Sequence, residues 1–195
     1  TSSIDAVLTV IREAGANKAL LKRRHAKLPL IPLTLEDWEP GASIIACTDP
    51  DDGWALINDE GVKDAYLVQE VIPMRYEYRF FVINGAVVTG AGCVEEFTPL
   101  DNGGERFDAQ MREHRNGECP SPVEARPDIL TRYHLFAEMV VVELAVERPE
   151  LNRYSLDVAL GNGGEPVIIE FNSESNSGFY ACQPHRITDA LAGLR

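Results

Sequence analysis

Tyr154-Ser155-Leu156-Asp157-Val158-Ala159-Leu160, the cluster Gly161-Asn162-Gly163-Gly164, and Pro166-Val167-Ile168-Ile169-Glu170-Phe171-Asn172 form the stretch that decides the fold. Two runs of apolar and β-branched residues flank a Gly/Asn turn signal, the pattern of a β-hairpin. With Gly163 and Gly164 as a two-residue turn, antiparallel pairing sets Asp157 opposite Glu170. Residues two apart in a strand share a face, so Asn172 points the same way as Glu170. Two carboxylates facing each other across a ladder repel, and apolar neighbours sharpen the repulsion by lowering the local dielectric. A hard divalent cation relieves it: Mg²⁺ is held by one or two carboxylates and shared with substrate phosphates. The alternative is a hairpin face whose charges stay in water. The run Val167-Ile168-Ile169, which requires cover on at least one side, argues against that.

Working outward, Leu130, Tyr133, Ala137, Val140, Val141 and Leu144 keep helical spacing up to about Glu147, with Asp128 placed to cap the helix. Residues 97–127 are rich in Asp, Asn, Gly, Arg and Pro and read as a long loop with one helical turn, the kind of loop that is functional or disordered. Asn84-Gly85 is a type I′ turn signal joining a strand over Tyr76–Ile83 to one over Ala86–Gly92. Arg79 alternates with Phe81 and Ile83, so it shares their face. An inward arginine needs an anion, which a triphosphate or an acidic neighbour supplies. Tyr66 to Ile72 reads as a strand that Pro73 ends. Nearer the start, Ile4, Val7, Leu8 and Ile11 mark an amphipathic helix from Ser3 to Ala14 ending near Gly15. Ala19 to Lys22 is a short apolar run, Pro29, Pro32 and Pro40 break up the next stretch, and Ser43 to Cys47 reads as a strand. Pro184 opens a last helix towards Leu194.

The 195 residues carry 18 Lys plus Arg against 31 Asp plus Glu, a formal net charge of -13. Such a balance opposes attraction to duplex nucleic acid or anionic lipid, and no apolar run is long enough to span a bilayer. Lys18, Lys22, Arg23, Arg24 and Lys27 nevertheless cluster, either as a solvated basic turn or as a seat for a small anion. Cys47, Cys93, Cys119 and Cys182 show neither zinc spacing nor the density of a disulfide scaffold, which fits a reducing, cytoplasmic setting. His25, His114, His134 and His185 form no close pair and take no catalytic assignment.

The Asp157 strand, the Gly turn and Glu170-Phe171-Asn172 resemble the metal-binding end of the ATP-grasp superfamily. Leu67-Val68-Gln69-Glu70-Val71-Ile72 is similar to that family's hinge, and Glu77-Tyr78-Arg79-Phe80-Phe81-Val82 to the strand after it. The resemblance covers most of residues 66–182 and is closest to compact members known from phages and microbial conflict systems. It implies an α+β ATP-grasp fold of two lobes with antiparallel sheets and ATP in the cleft, residues 1–68 forming the small lobe and 69–195 the larger one. It implies that Asp157, Glu170 and Asn172 ligate two Mg²⁺ ions, or Mn²⁺ in their place. By the same resemblance the backbone of Gln69, Glu70, Val71 and Ile72 reads adenine, Glu77 holds ribose and Arg79 faces the phosphates. Lys22, at the end of an apolar run, is the first choice for a further phosphate contact, with Lys18, Arg24 and Lys27 as competitors.

The activity implied is carboxylate–amine ligation: ATP phosphorylates a small-molecule or peptide carboxylate, and an amine displaces the phosphate. A kinase that stops at phosphorylation, or a protein that only binds or senses the nucleotide, is the competing reading. The polar loop Ser173 to Tyr180 is positioned to touch the acceptor or to be plain surface. The length leaves no room for the extra substrate-binding domain of many relatives, so a homodimer or a partner chain is a further expectation.

Overall fold

The computed structural model describes residues 3–23, 31–36, 39, 66–71, 74–114 and 121–193. The chain divides into two units, Thr1–Ile72 and Pro73–Arg195.

In the first unit, helix α1 (Ser3–Glu13) precedes strands β1 (Lys18–Arg23), β2 (Ile31–Thr34) and β3 (Tyr66–Glu70). The helix runs out at Gly15, whose φ of 89° suits the left-handed position after a helix end. The sheet is antiparallel with order β2-β1-β3. It buries Ala19, Leu21 and Leu33, and α1 buries Leu8 and Ile11. Sequence reading missed β2 because Pro32 lies inside it. An edge strand tolerates a proline, and β2 is at the edge. The strand expected over 43–47 lies outside the described residues, as do Ile72, Arg24 and Lys27.

The second unit is built on a four-stranded antiparallel sheet of order β5-β4-β8-β9, from β4 (Arg75–Ile83), β5 (Ala86–Gly92), β8 (Arg153–Leu160) and β9 (Pro166–Asn172). Asn84 and Gly85 both take positive φ, 52° and 73°, as the type I′ turn requires. The described residues of the expected long loop contain a helical turn, Pro99–Asp101, and also a small antiparallel pair, β6 (Gln110–Arg112) with β7 (Val123–Ala125). Three-residue strands carry too little periodicity to be read from sequence.

Helix α2 (Pro127–Glu147) covers one face of the large sheet. Ile129, Tyr133, Ala137, Val140 and Val141 pack there with Tyr78, Phe80, Val82, Leu156, Val158 and Leu160. The helix starts one residue before the expected cap. Arg126 is the N-cap, and Asp128 sits in the first turn held by Arg126 at 2.9 and 3.0 Å. The opposite face is covered by the segment from Ser173 into helix α3 (Pro184–Leu191), where Phe81, Ile83, Val88, Ala91, Ala181, Cys182 and Ile187 form a second core. Among the described residues no helix is long and apolar enough to cross a membrane.

Candidate functional site

Strands β8 and β9 pair Asp157 with Glu170 and Ser155 with Asn172. The register expected for the metal end is therefore present, although the turn differs from expectation. Leu160 pairs with Pro166 and Gly161 N–H donates to the Glu165 carbonyl at 2.9 Å, so the loop is wider than two residues. Between Asp157 and Val158 the register shifts, leaving Ile169 as the extra residue on β9. The bulge compensates for the wider turn, and the carboxylates meet as the simpler hairpin predicted.

On its other side Asp157 pairs with Arg79 of β4, which pairs in turn with Ala91 of β5. Arg79, Asp157 and Glu170 thus stand in one row across three strands. Arg79 donates from Nε to Asp157 Oδ1 at 2.7 Å and from Nη2 to Oδ2 at 2.5 Å, a two-pronged fork. Both groups are buried, Arg79 at 7% exposure and Asp157 at 1%. Burial works against the guanidinium charge, but the hydrogen bonds and charge of Asp157 outweigh it and raise the Arg79 pKa further. The inward arginine inferred from alternation is thus present, and the anion it meets here is a neighbouring carboxylate.

The next row places Asn172 beside Ser155 and Phe81. Asn172 Nδ2 donates to Glu170 Oε1 at 2.7 Å, so the two side chains lie on one face, both half-buried. The loop after β9 crosses this face. Ser177 Oγ lies 2.7 Å from Ser155 Oγ, and the Gly178 carbonyl accepts from Arg79 Nη1 at 3.1 Å. Phe179 stacks on Phe81 with ring centroids 5.6 Å apart, and the Tyr180 ring lies 5.2 Å from the Arg79 guanidinium carbon. Tyr180 takes a φ of 47°, a left-handed conformation uncommon for a tyrosine.

Glu77, Cys93 and Asp157 bring a carboxylate, a thiol and a carboxylate to within 4.8 Å of one another. The sequence did not place Cys93 there, because a bulge between Phe81 and Val82 shifts β5 by one residue against β4. Cys93 N–H donates to the Glu77 carbonyl at 2.9 Å. The nearby Cys182 has its thiol pKa pushed up by burial, so it remains a protonated, inert core residue.

Lys22 lies on β1 in register with Leu67, and Gln69 and Glu70 lie on β3 in register with Leu20 and Ala19. Gln69, Glu70 and Val71 are exposed. The structure thus brings Arg79, Asp157, Glu170 and Asn172 together, with Glu77 beside Asp157, and places Lys22, Gln69, Glu70 and Val71 in the first unit.

The fold is similar to that of D-cycloserine synthetase DcsG, at 13% identity and a TM-score of 0.51, covering 98% of this chain and 61% of that one. Further similar structures are D-alanyl-alanine synthetase A from Vibrio cholerae (14% identity, TM-score 0.49, 98% and 55% covered) and the ADP complex of N5-carboxyaminoimidazole synthetase from Staphylococcus aureus (13%, 0.49, 97% and 44%). The chain spans from under half to about three-fifths of these proteins' lengths. By sequence, none of the curated proteins matches. A family described as an ATP-grasp domain, the second family of its clade, matches residues 48–190, well over half of the chain. On that match the chain belongs to the ATP-grasp family.

Proposed function

We propose that the chain is an ATP-dependent ligase that joins a carboxylate to an amine through an acyl phosphate. One arrangement carries the reading: the row Arg79, Asp157, Glu170 with Asn172 bonded to Glu170. Two carboxylates and an amide oxygen are hard donors, the set that Mg²⁺ accepts and shares with phosphate oxygens. When bound, Mg²⁺ supplies charge neutralisation to the phosphates of ATP. Asp157, Glu170 and Asn172 would hold it, while the two hydrogen bonds from Arg79 fix the Asp157 carboxylate in direction. The γ-phosphoryl group passes to a carboxylate oxygen of the acid, and the amine then attacks the acyl carbon and releases phosphate. Such a route asks no side chain to become a covalent carrier. In this reading Glu77 reaches ribose, Lys22 reaches phosphate, and the backbone of Gln69, Glu70, Val71 and Ile72 reads adenine.

Calorimetric titration of ATP, with and without Mg²⁺, into the wild type and Glu170→Ala tests the proposal. Binding that needs Mg²⁺ and is lost in the variant supports it. ADP release that depends on both an acid and an amine then separates a ligase from a kinase, and tight binding with no release points to a sensor. A wild type that binds no ATP sinks the reading for this chain.

A further inference from the structure

Helix α2 is apolar on two opposite faces. One is committed to the sheet, whereas Leu135, Met139, Val142 and Val146 are exposed by 63%, 57%, 66% and 80%. Their spacing of four, three and four residues is the d-a-d-a seam of a heptad repeat, about 16 Å long at the rise of an α-helix. A seam of this kind is complementary to another helix rather than to a strand or a flat surface.

The flanks say which helix. Beside the seam the g positions are Glu138 and Ala145, and the e positions Phe136 and Glu143, with Glu147 following Val146; the three glutamates are exposed. At its own e and g positions a second copy supplies no basic residue to them. Parallel pairing sets Glu138 against Glu143 of the copy, and antiparallel pairing in the register of the seam sets Glu138 against Ala145 and Glu143 against Phe136. The chain's net charge of -13 adds a general repulsion between copies. Ala145 also opens the seam into a hollow of about 310 Å³ lined by Val141, Pro149, Leu151 and Tyr154, with Asn84 and Asn152 at its polar side. That volume takes one large apolar side chain, the usual anchor of a helix-in-groove contact.

We propose that the outer face of α2 docks a basic amphipathic helix of a partner protein, one with apolar residues at its a and d positions and Lys or Arg at e and g. The docking face is separate from the row of Arg79, Asp157 and Glu170, and it does not depend on the proposed function.

The test uses the full chain and two synthetic three-heptad peptides with leucine at a and d, one carrying lysine and the other glutamate at e and g. Fluorescence anisotropy is expected to show the lysine peptide binding the wild type and the glutamate peptide failing to bind. Val142→Asp should weaken the lysine peptide by roughly tenfold or more. The sign is informative, because the added negative charge would strengthen a purely electrostatic attraction. Glu138→Lys combined with Glu143→Lys should reverse the preference between the peptides. Equal binding by Val142→Asp, binding of neither peptide, or a preference for the glutamate peptide overturns the proposal. Concentration-dependent self-association of the chain that Val142→Asp abolishes would overturn it in favour of a second copy.

Discussion

The two faces of the large sheet come from the same strands and differ by one residue of register. Towards α2 the sheet presents Tyr78, Phe80, Val82, Leu156, Val158 and Leu160. Towards α3 and the loop after β9 it presents Arg79, Asp157, Glu170, Ser155 and Asn172 among apolar neighbours. Strand alternation alone separates them, so a packed core and a charged row are held about one strand thickness apart. The apolar face is stabilised by close packing that any well-fitting side chains could supply. The charged face depends on particular partners, because each buried charge needs its own counter-charge.

Breaking a partner on the charged face is expected to have the largest effect. Asp157→Ala leaves the Arg79 guanidinium buried without its carboxylate and should cost about 3–5 kcal/mol, measured by urea unfolding. Arg79→Met with Asp157→Leu should recover most of that loss, since a buried pair replaced by apolar groups of similar size is often neutral in stability. The double variant would still have lost its nucleotide response under the proposed function. If it is no more stable than Asp157→Ala, the charged face does not depend on paired charges in this way. On the apolar face Phe80→Ala should also cost about 3–5 kcal/mol by opening a cavity, but no second substitution at a charged neighbour should rescue it.

Smaller effects are expected where the charged face is less enclosed. Glu170→Ala should change the midpoint of urea unfolding little, because Glu170 is half-buried, yet under the proposed function remove Mg²⁺-dependent ATP binding. A large stability loss without a binding loss would mark Glu170 as structural. Ser155→Ala removes the contact to Ser177 and should cost about 0.5–1.5 kcal/mol, with faster proteolysis of the loop 173–180 as a second readout.

Much of the difference between the faces was legible in the sequence. Gly163-Gly164 and Asn84-Gly85 announced both hairpins, the alternation of Arg79 with Phe81 and Ile83 placed that arginine inward, and the spacing from Leu130 to Leu144 announced α2. The features that escaped have a common physical cause. Bulges at Ile169 and between Phe81 and Val82 shift register without leaving a periodic signal, so Asp157 met Glu170 through a turn read too tight, and Cys93 arrived beside Glu77 unannounced. The fork between Arg79 and Asp157 was invisible because the pairing of β4 with β8 joins residues far apart in sequence, and no local turn sets its register.

The smallest expected effect isolates burial from geometry. Arg126 grips Asp128 at 2.9 and 3.0 Å with the same two-pronged fork that Arg79 offers Asp157, but Asp128 is exposed, at the first turn of the helix that backs the apolar face. The hydrogen bonds from Arg126 hold its carboxyl at about 2, below the ordinary 3.8. A carboxyl depressed in the folded state contributes stability that is present above pH 3.8 and lost as pH falls through about 2. Asp128→Asn should therefore remove that contribution at neutral pH, flatten the acid limb of the stability curve in that window, and change nothing below about pH 2. Solvent screens an exposed pair, so the change should be slight beside that of Asp157→Ala. Were the two substitutions to cost the same, the fork itself would set the energy. A wide gap between them assigns the difference to enclosure, the property that distinguishes the buried fork of the charged row from its exposed counterpart at the start of α2.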